Sequence, residues 1–405
     1  MLLKSEIETA YLLQQAKLQN KEIVINRDSA NLVDIKSGAV QIVSGIRRCG
    51  KSTLLRGLMK NYRKTAFLNF EDPRIFGFRV SDFPKLDEII PKNTEAYFFD
   101  EIQNVPQWEL YVRQLHDDGK KVFITGSNAS MLSRDLGTRL TGRYLNTELF
   151  PFSYTEYLRY NKEKKSEISY QNYLTKGGFP EFLVSENPEI LQNLLKDIVY
   201  RDIAVRYGIR NANTLVNITL FLLSNIGKET SFNSLKKAFE VGSANSISDY
   251  LSWLEDAYLL FFLQKFSWSA KSRQISPKKV YAIDNGLAKA NTLSFTSDYG
   301  RLLENQVFIY LRTAGKTLYY FREVKECDFV VFNQNKCIAA IQVCYELTTD
   351  NKDREINGLA AAMDFFSLKK GYIVTLSQQD SFHFNEKEIV CVPAHVFFSE
   401  DIFQV

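Results

Sequence analysis

Residues 40–63 read VQIVSGIRRCGKSTLLRGLMKNYR, and the fold class follows from how that run divides. VQIVSG (40–45) is a short apolar run of the kind that forms a strand buried on both faces. GIRRCGKST (45–53) fits G-x-x-x-x-G-K-[ST], and STLLRGLMKNYR (52–63) has helical spacing. A strand, a glycine loop and a helix in that order form a phosphate cradle. Gly45 and Gly50 let the loop curl so that its N–H groups, from Ile46, Arg47, Arg48 and Cys49 to Thr53, point inward. The helix adds the positive end of its dipole. Lys51 supplies a mobile charge for the outer phosphates and Ser52 a hydroxyl for Mg²⁺. Cys49 lies inside the loop, either as a small filler or as a point of oxidation. The ligand this implies is ATP with Mg²⁺.

Outward from the loop, strand and helix signals alternate. TAFLNFED (65–72), AYFFDE (96–101) and KVFITGSN (121–128) read as strands, with helical WELYVRQLHDDG (108–119) between the last two. This alternation predicts an α/β fold, a parallel sheet with helices on both faces. AYFFDE puts Asp100 at the end of an apolar strand, where it would hold the metal, and Glu101 just beyond, where it would act as base toward water. The plainer reading is a solvated turn. Ser127 or Asn128 would lie beside Asp100 if those strands are neighbours; the alternative is a helix cap. Arg139 and Arg143, in GTRLTGRY, are candidates to stabilise transferring charge, against a surface ion pair.

The bulk numbers are those of an ordinary globular protein. The chain has 405 residues, which suggests about two to three domains. A net charge of +4 falls far short of a dedicated nucleic-acid binder, although a local patch could hide in that average. Five cysteines with no C-x-x-C pair indicate free thiols in a reducing compartment, and three histidines argue against a histidine metal site. The abundant Phe and Tyr read as core. No run approaches the roughly 18–20 apolar residues of a membrane span, and the N-terminal segment lacks a signal-peptide core. The protein is read as cytoplasmic, with no membrane contact.

The motifs GIRRCGKSTLL, FFDEIQNVPQWE, ITGSNASML, LTGRY, LFPFSYTEYL and GGFPEFL carry a resemblance over the first 210 residues. The chain resembles the AAA+ superfamily, in particular bacterial and archaeal ATPases with a helical lid and a C-terminal domain of unknown role. The resemblance implies that Lys51 and Ser52 bind phosphate and metal, that Asp100 holds metal, that Glu101 activates water and that Asn128 or Ser127 senses phosphate. GGFP resembles a lid turn whose proline, here Pro180, packs on adenine. Arg139 or Arg143 could complete a site in its own chain or a neighbour's in a homo-oligomer.

The same comparison divides the chain into an ATPase domain (1–150), a helical lid (151–213), a winged-helix-like region (214–265) and a nuclease-like domain (266–405). Residues 265–300 read as a connector with short strands. In the winged-helix region, the start of the second helix carries Ser243, Asn245, Ser246, Ser248 and Asp249 and no base-reading cation, which weakens DNA as partner. Lys236 and Lys237 could still meet phosphates; the alternative is a structural or protein-docking role. Residues 301–345 resemble a restriction-nuclease core. Glu304 and Asp328 fit its first two acidic places, but the next strand offers Gln342 and Cys344 where an acid and a lysine are needed, which leaves Glu326 or Glu346 to compensate. The leading expectation is an ATPase switch that moves its lid and C-terminal domains. The alternatives are a nucleotide-dependent DNA-binding protein of negligible turnover and, third, an ATP-dependent nuclease.

Overall fold

The computed structural model describes residues 1–19, 25–128, 142–209, 211–293, 298–384 and 386–400. They fall into two compact units, Met1–Phe150 with Asp256–Tyr258, and Pro151–Glu255 with Leu259–Val405. Among the described residues, no helix is long and apolar enough to cross a membrane.

The first unit is built on five parallel strands: β1 (Val40–Ser44), β2 (Thr65–Asn69), β3 (Ala96–Asp100), β4 (Lys121–Gly126) and β5 (Tyr144–Glu148). Their order is β2-β3-β4-β1-β5. β1 and β3 are buried along their whole length, as the apolar runs require of strands covered on both faces. β5 is absent from the sequence reading. Its residues, YLNTE, are mostly exposed or half-buried because it is an edge strand, so it carries no apolar run. With all five strands parallel, their carboxyl ends share one edge of the sheet, where ligands of such sheets bind.

The helix Lys4–Gln19 seats Ile7, Ala10 and Tyr11 in the core. The aromatic abundance is core packing in this unit. Phe83 and Tyr111 stack at 3.8 Å and Phe98 and Phe123 at 4.7 Å. Truncating one of these rings to Ala would cost about 3–5 kcal/mol.

The second unit begins with the helices Tyr154–Asn161 and Glu167–Lys176. The first starts at a capping box in which Ser153 and Glu156 each bond the other's backbone N–H, a device worth about 1 kcal/mol. Helices Ala212–Leu223, Phe232–Ala238 and Ala244–Asp256 are interleaved with β6 (Glu229–Thr230), β7 (Leu260–Gln264) and β8 (Lys278–Ala282). These strands form an antiparallel sheet in the order β6-β8-β7. The segment 265–300 is therefore more than a connector: β8 is the central strand of that sheet, and the helices Ala270–Ile275 and Asn285–Asn291 flank it. A mixed six-stranded sheet follows, from β9 (Thr317–Arg322), β10 (Glu326–Asn333), β11 (Lys336–Val343), β12 (Lys370–Thr375), β13 (Asp380–Phe384) and β14 (Lys387–Pro393), in the order β13-β14-β12-β11-β10-β9. Helix Lys352–Phe365 covers one face with Ile356, Leu359, Ala362 and Met363.

Candidate functional site

The loop after β1 is shaped by two glycines. Gly45 has φ 153° and Gly50 has φ 106°, values that an L side chain rarely adopts. A Cβ on Gly45 would lie 2.1 Å from the Leu149 carbonyl oxygen, so only glycine lets the loop leave β1 beside β5. Arg48, at φ 65°, holds a left-handed turn without that freedom. Gly50 then caps helix Lys51–Met59, whose N-terminus faces the loop.

Lys51 is buried and folds back over the loop. Its Nζ donates to the carbonyl oxygens of Gly45 at 2.9 Å and Ile46 at 3.1 Å, and lies 3.4 Å from Glu101 Oε1. Ser52, in the first turn of the helix, acts on Asp100 and counters part of the rise that burial gives its carboxyl. Arg47 is ion-paired with Glu71. Ile46 and Cys49 are buried, whereas Ser52 and Thr53 are half-buried. Burial pushes the Cys49 thiol up despite the nearby cations, which makes it a filler rather than a reactive thiol.

Asp100 ends β3 fully buried. Its Oδ1 accepts from Thr125 Oγ1 at 2.5 Å and its Oδ2 from Asn69 Nδ2 at 3.2 Å. Burial, with the neighbouring Glu101 charge, raises its carboxyl above the usual range. Glu101 sits at φ 51° on a left-handed turn, and its N–H donates to Thr125 Oγ1 at 2.9 Å. Burial pushes Glu101 up, but Lys51, Gln103 and Arg47 outweigh it and hold the group as a carboxylate. Gln103 Nε2 reaches Glu101 Oε2 at 2.5 Å and Ser127 Oγ at 3.3 Å, while its Oε1 is buried without a partner. Asn128 is buried just past β4.

Arg143 does not join this cluster. Arg143 precedes β5 at the opposite edge of the sheet: its carbonyl oxygen pairs with Val40 N–H, at the start of β1, and its guanidinium bonds Asp117 at 2.7 Å. Its place is therefore the surface ion pair and not its own chain's phosphate loop. Arg139 lies outside the described residues. Pro180 opens helix Pro180–Ser185 in the second unit.

Sequence reading missed the residues that brace the loop. Arg27 is buried and donates from Nη1 to the Cys49 carbonyl at 2.8 Å and from Nη2 to the Phe150 carbonyl at 2.6 Å. Thr125 was overlooked in favour of Ser127 and Asn128, yet the parallel pairing of Phe99 with Ile124 puts Thr125 next to Asp100. The signal in the sequence was the end of the strand FITG, placed beside Asp100 only on the condition that the two strands are neighbours, a condition that the pairing of β3 with β4 meets.

The glycine cradle, the loop lysine, the Ser52–Asp100 pair and an unsatisfied acceptor beside Glu101 fit a nucleotide with a divalent ion. A family model described as an AAA domain matches residues 37–158. Two others, each described as a domain of unknown function, match 167–298 and 299–397. An uncharacterized protein of Methanocaldococcus jannaschii is 36% identical over 93% of this chain and 91% of its own length. One of Haemophilus influenzae is 31% identical over 78% and 85%. Among solved structures, a Walker-type ATPase of Pyrococcus abyssi matches at TM-score 0.41 and 14% identity, over 65% of this chain and 93% of that one. AMPPCP-bound DnaA from Aquifex aeolicus matches at TM-score 0.27 and 11% identity, over 61% and 88%. The chain belongs to the AAA+ superfamily of P-loop proteins, with an AAA-type ATPase domain followed by regions of unknown function.

Proposed function

We propose that the chain binds ATP with Mg²⁺ at the Gly45–Thr53 loop, hydrolyses it, and uses nucleotide state to move its lid and C-terminal regions. The observation that carries this reading is the convergence of Lys51, Ser52, Asp100 and Glu101 at the carboxyl edge of β1 and β3. The loop N–H groups and Lys51 would take the phosphates, and Ser52 and Asp100 would hold the ion. Mg²⁺, when bound, supplies charge neutralisation at phosphate oxygens. Glu101, held as a carboxylate, is the group that accepts a proton from water. Asn128 or Ser127 contacts the outer phosphate or the water, and Pro180 packs on the base. Arg139 or, from another copy of the chain, Arg143 stabilises the transferring charge.

A second reading, nucleotide-dependent DNA binding with little turnover, draws support from the region around β6–β8. Helix, strand, two helices, a strand, the short helix Ala270–Ile275 and a last strand in that order, with a sheet ordered β6-β8-β7, support the winged-helix reading. Lys236 and Lys237 are exposed on the helix before the second one. Against it, the serines that open that second helix are engaged with each other, Ser246 N–H bonding Ser243 Oγ at 3.0 Å.

Phosphate release measured across protein concentration, with and without DNA, separates the two. Turnover that Glu101→Gln abolishes while ATP still binds supports the ATPase. Absence of turnover under all these conditions leaves the binding switch. A rate per chain that rises with concentration points to an arginine acting on a neighbour.

A further inference from the structure

Lys279, on β8, is a buried lysine in a region with no assigned chemistry. Its Nζ lies 2.8 Å from Asp328 Oδ1, 2.8 Å from Glu326 Oε1 and 3.0 Å from Glu304 Oε1. Glu304 comes from helix Tyr299–Thr313, and Glu326 and Asp328 come from β10. Three carboxylates from two elements therefore converge on one ammonium supplied by a third.

The surrounding bonds hold the arrangement in place. Tyr281, also on β8, donates its hydroxyl to Glu304 Oε1 at 2.7 Å. Asp328 Oδ2 accepts from Val343 N–H at 3.0 Å, and Asp328 N–H donates to Gln342 Oε1 at 3.2 Å. Gln342 Nε2 is in turn committed to Glu355 Oε2 at 2.7 Å. Gly227, with φ 74°, lets the chain pass Glu304; a Cβ there would come within 2.9 Å of its Oε2. Burial draws the Lys279 proton off, but Asp328 and Glu304 outweigh it and keep the ammonium charged.

Oxygens of this kind, gathered from a helix and a strand, are the donor set of a divalent ion, which would sit about 2.0–2.6 Å from them. The ammonium already fills that space, and ion and ammonium exclude one another. The oxygens stand slightly wider around Nζ than a metal shell.

We propose that Lys279 is a built-in cation that takes the place of a divalent metal in the Glu304–Glu326–Asp328 cluster and clasps the β6–β8 sheet to the C-terminal sheet. The centre is a locked structural joint, and its negative charge is answered from within the chain. Removing the ammonium while leaving the carboxylates opens a divalent-cation site, because three carboxylates without a counter-charge repel one another until an ion enters.

The test uses nucleotide-free full-length protein, with Mn²⁺ binding read by electron paramagnetic resonance and melting temperature read in Mn²⁺ and in EDTA. The wild type and Asp328→Asn are expected to bind the same amount of Mn²⁺, and the wild type to melt at the same temperature in Mn²⁺ as in EDTA. Lys279→Ala, or Lys279→Gln where the alanine variant fails to fold, is expected to melt lower in EDTA. It should gain one further Mn²⁺ equivalent and recover part of its melting temperature with it. Adding Asp328→Asn to that variant should remove the gain. A wild-type Mn²⁺ equivalent that Asp328→Asn abolishes would overturn the proposal, and so would a folded Lys279 variant with no new Mn²⁺ site. The wild-type comparison decides the first point even if neither variant folds.

Discussion

Lys51 Nζ and Glu101 Oε1 lie 3.4 Å apart, both buried at the carboxyl edge of the sheet, so the proposed phosphate-binding cation and the candidate base neutralise each other. Removing one partner of such a pair strands the other's charge in a poorly solvated site. Lys51→Met should therefore destabilise the nucleotide-free protein by about 3–5 kcal/mol. The double variant Lys51→Met with Glu101→Gln should recover a good part of that. Denaturant unfolding of wild type, both single variants and the double variant gives the coupling directly. Strictly additive effects would show that the pair carries no mutual stabilisation.

Arg27 is the brace that holds the loop's outer turn. Its guanidinium makes charge-assisted bonds to two backbone carbonyls, those of Cys49 and Phe150. Arg27→Ala should cost about 2–4 kcal/mol and weaken ATP binding, since the Cys49–Gly50 peptide loses its anchor. Calorimetric ATP titration and a melting curve check both. Arg27→Lys, lacking the fork, should recover only part of either. An alanine variant that binds ATP as the wild type does would remove Arg27 from the site.

The contrast between Lys51 and Arg27 explains what the sequence could reveal. Gly45, Gly50, Lys51 and Ser52 form the cradle within nine consecutive residues, so spacing alone exposes it. Arg27 reaches Phe150 across more than a hundred residues of chain, and nothing local marks it. Strands β1, β3 and β4 were legible because burial on both faces demands an apolar run. β5 was not, because its edge position allows Leu145 and Asn146 to face solvent. KKVYA was submerged in a Ser- and Lys-rich stretch, yet it supplies the strand that carries Lys279. Nothing local marks that lysine, and the three-dimensional convergence of Glu304, Glu326 and Asp328 gives it its partners.

Gln103 ties Glu101 Oε2 to Ser127 Oγ and leaves a buried acceptor unsatisfied beside them. That geometry suits a residue that orients the base and completes its shell with water. Gln103→Leu is expected to slow ATP turnover by about 10²-fold while ATP affinity stays within twofold, a kcat effect with little change in binding. A loss of binding equal to the loss of rate would instead mark a structural role. An unchanged rate would exclude Gln103 from the reaction.

Asp284 governs the turn that leads into Pro180. Its Oδ2 accepts from Gly178 N–H at 2.7 Å and its Oδ1 from Leu287 N–H at 2.9 Å, with a Cβ on Gly177 excluded by the same carboxylate. Burial raises its pKa to about 6 from an ordinary 3.8, the backbone donors offsetting only part of the penalty. Between those values the folded chain holds a proton that the unfolded chain has released. Its contribution to stability is therefore fully present below about pH 4 and is lost as pH rises through 6. The shift of about two units corresponds to roughly 3 kcal/mol. Asp284→Asn keeps one acceptor and does not titrate. The unfolding free energy of the wild type minus that of the variant should thus fall by about that amount between pH 4 and pH 7, read from denaturant curves. Taking the difference cancels the opposite slope from salt-bridged carboxylates such as Asp72, which Arg74 holds near 2. A difference that stays flat with pH would mean that the Asp284 carboxylate is solvated as well in the fold as out of it.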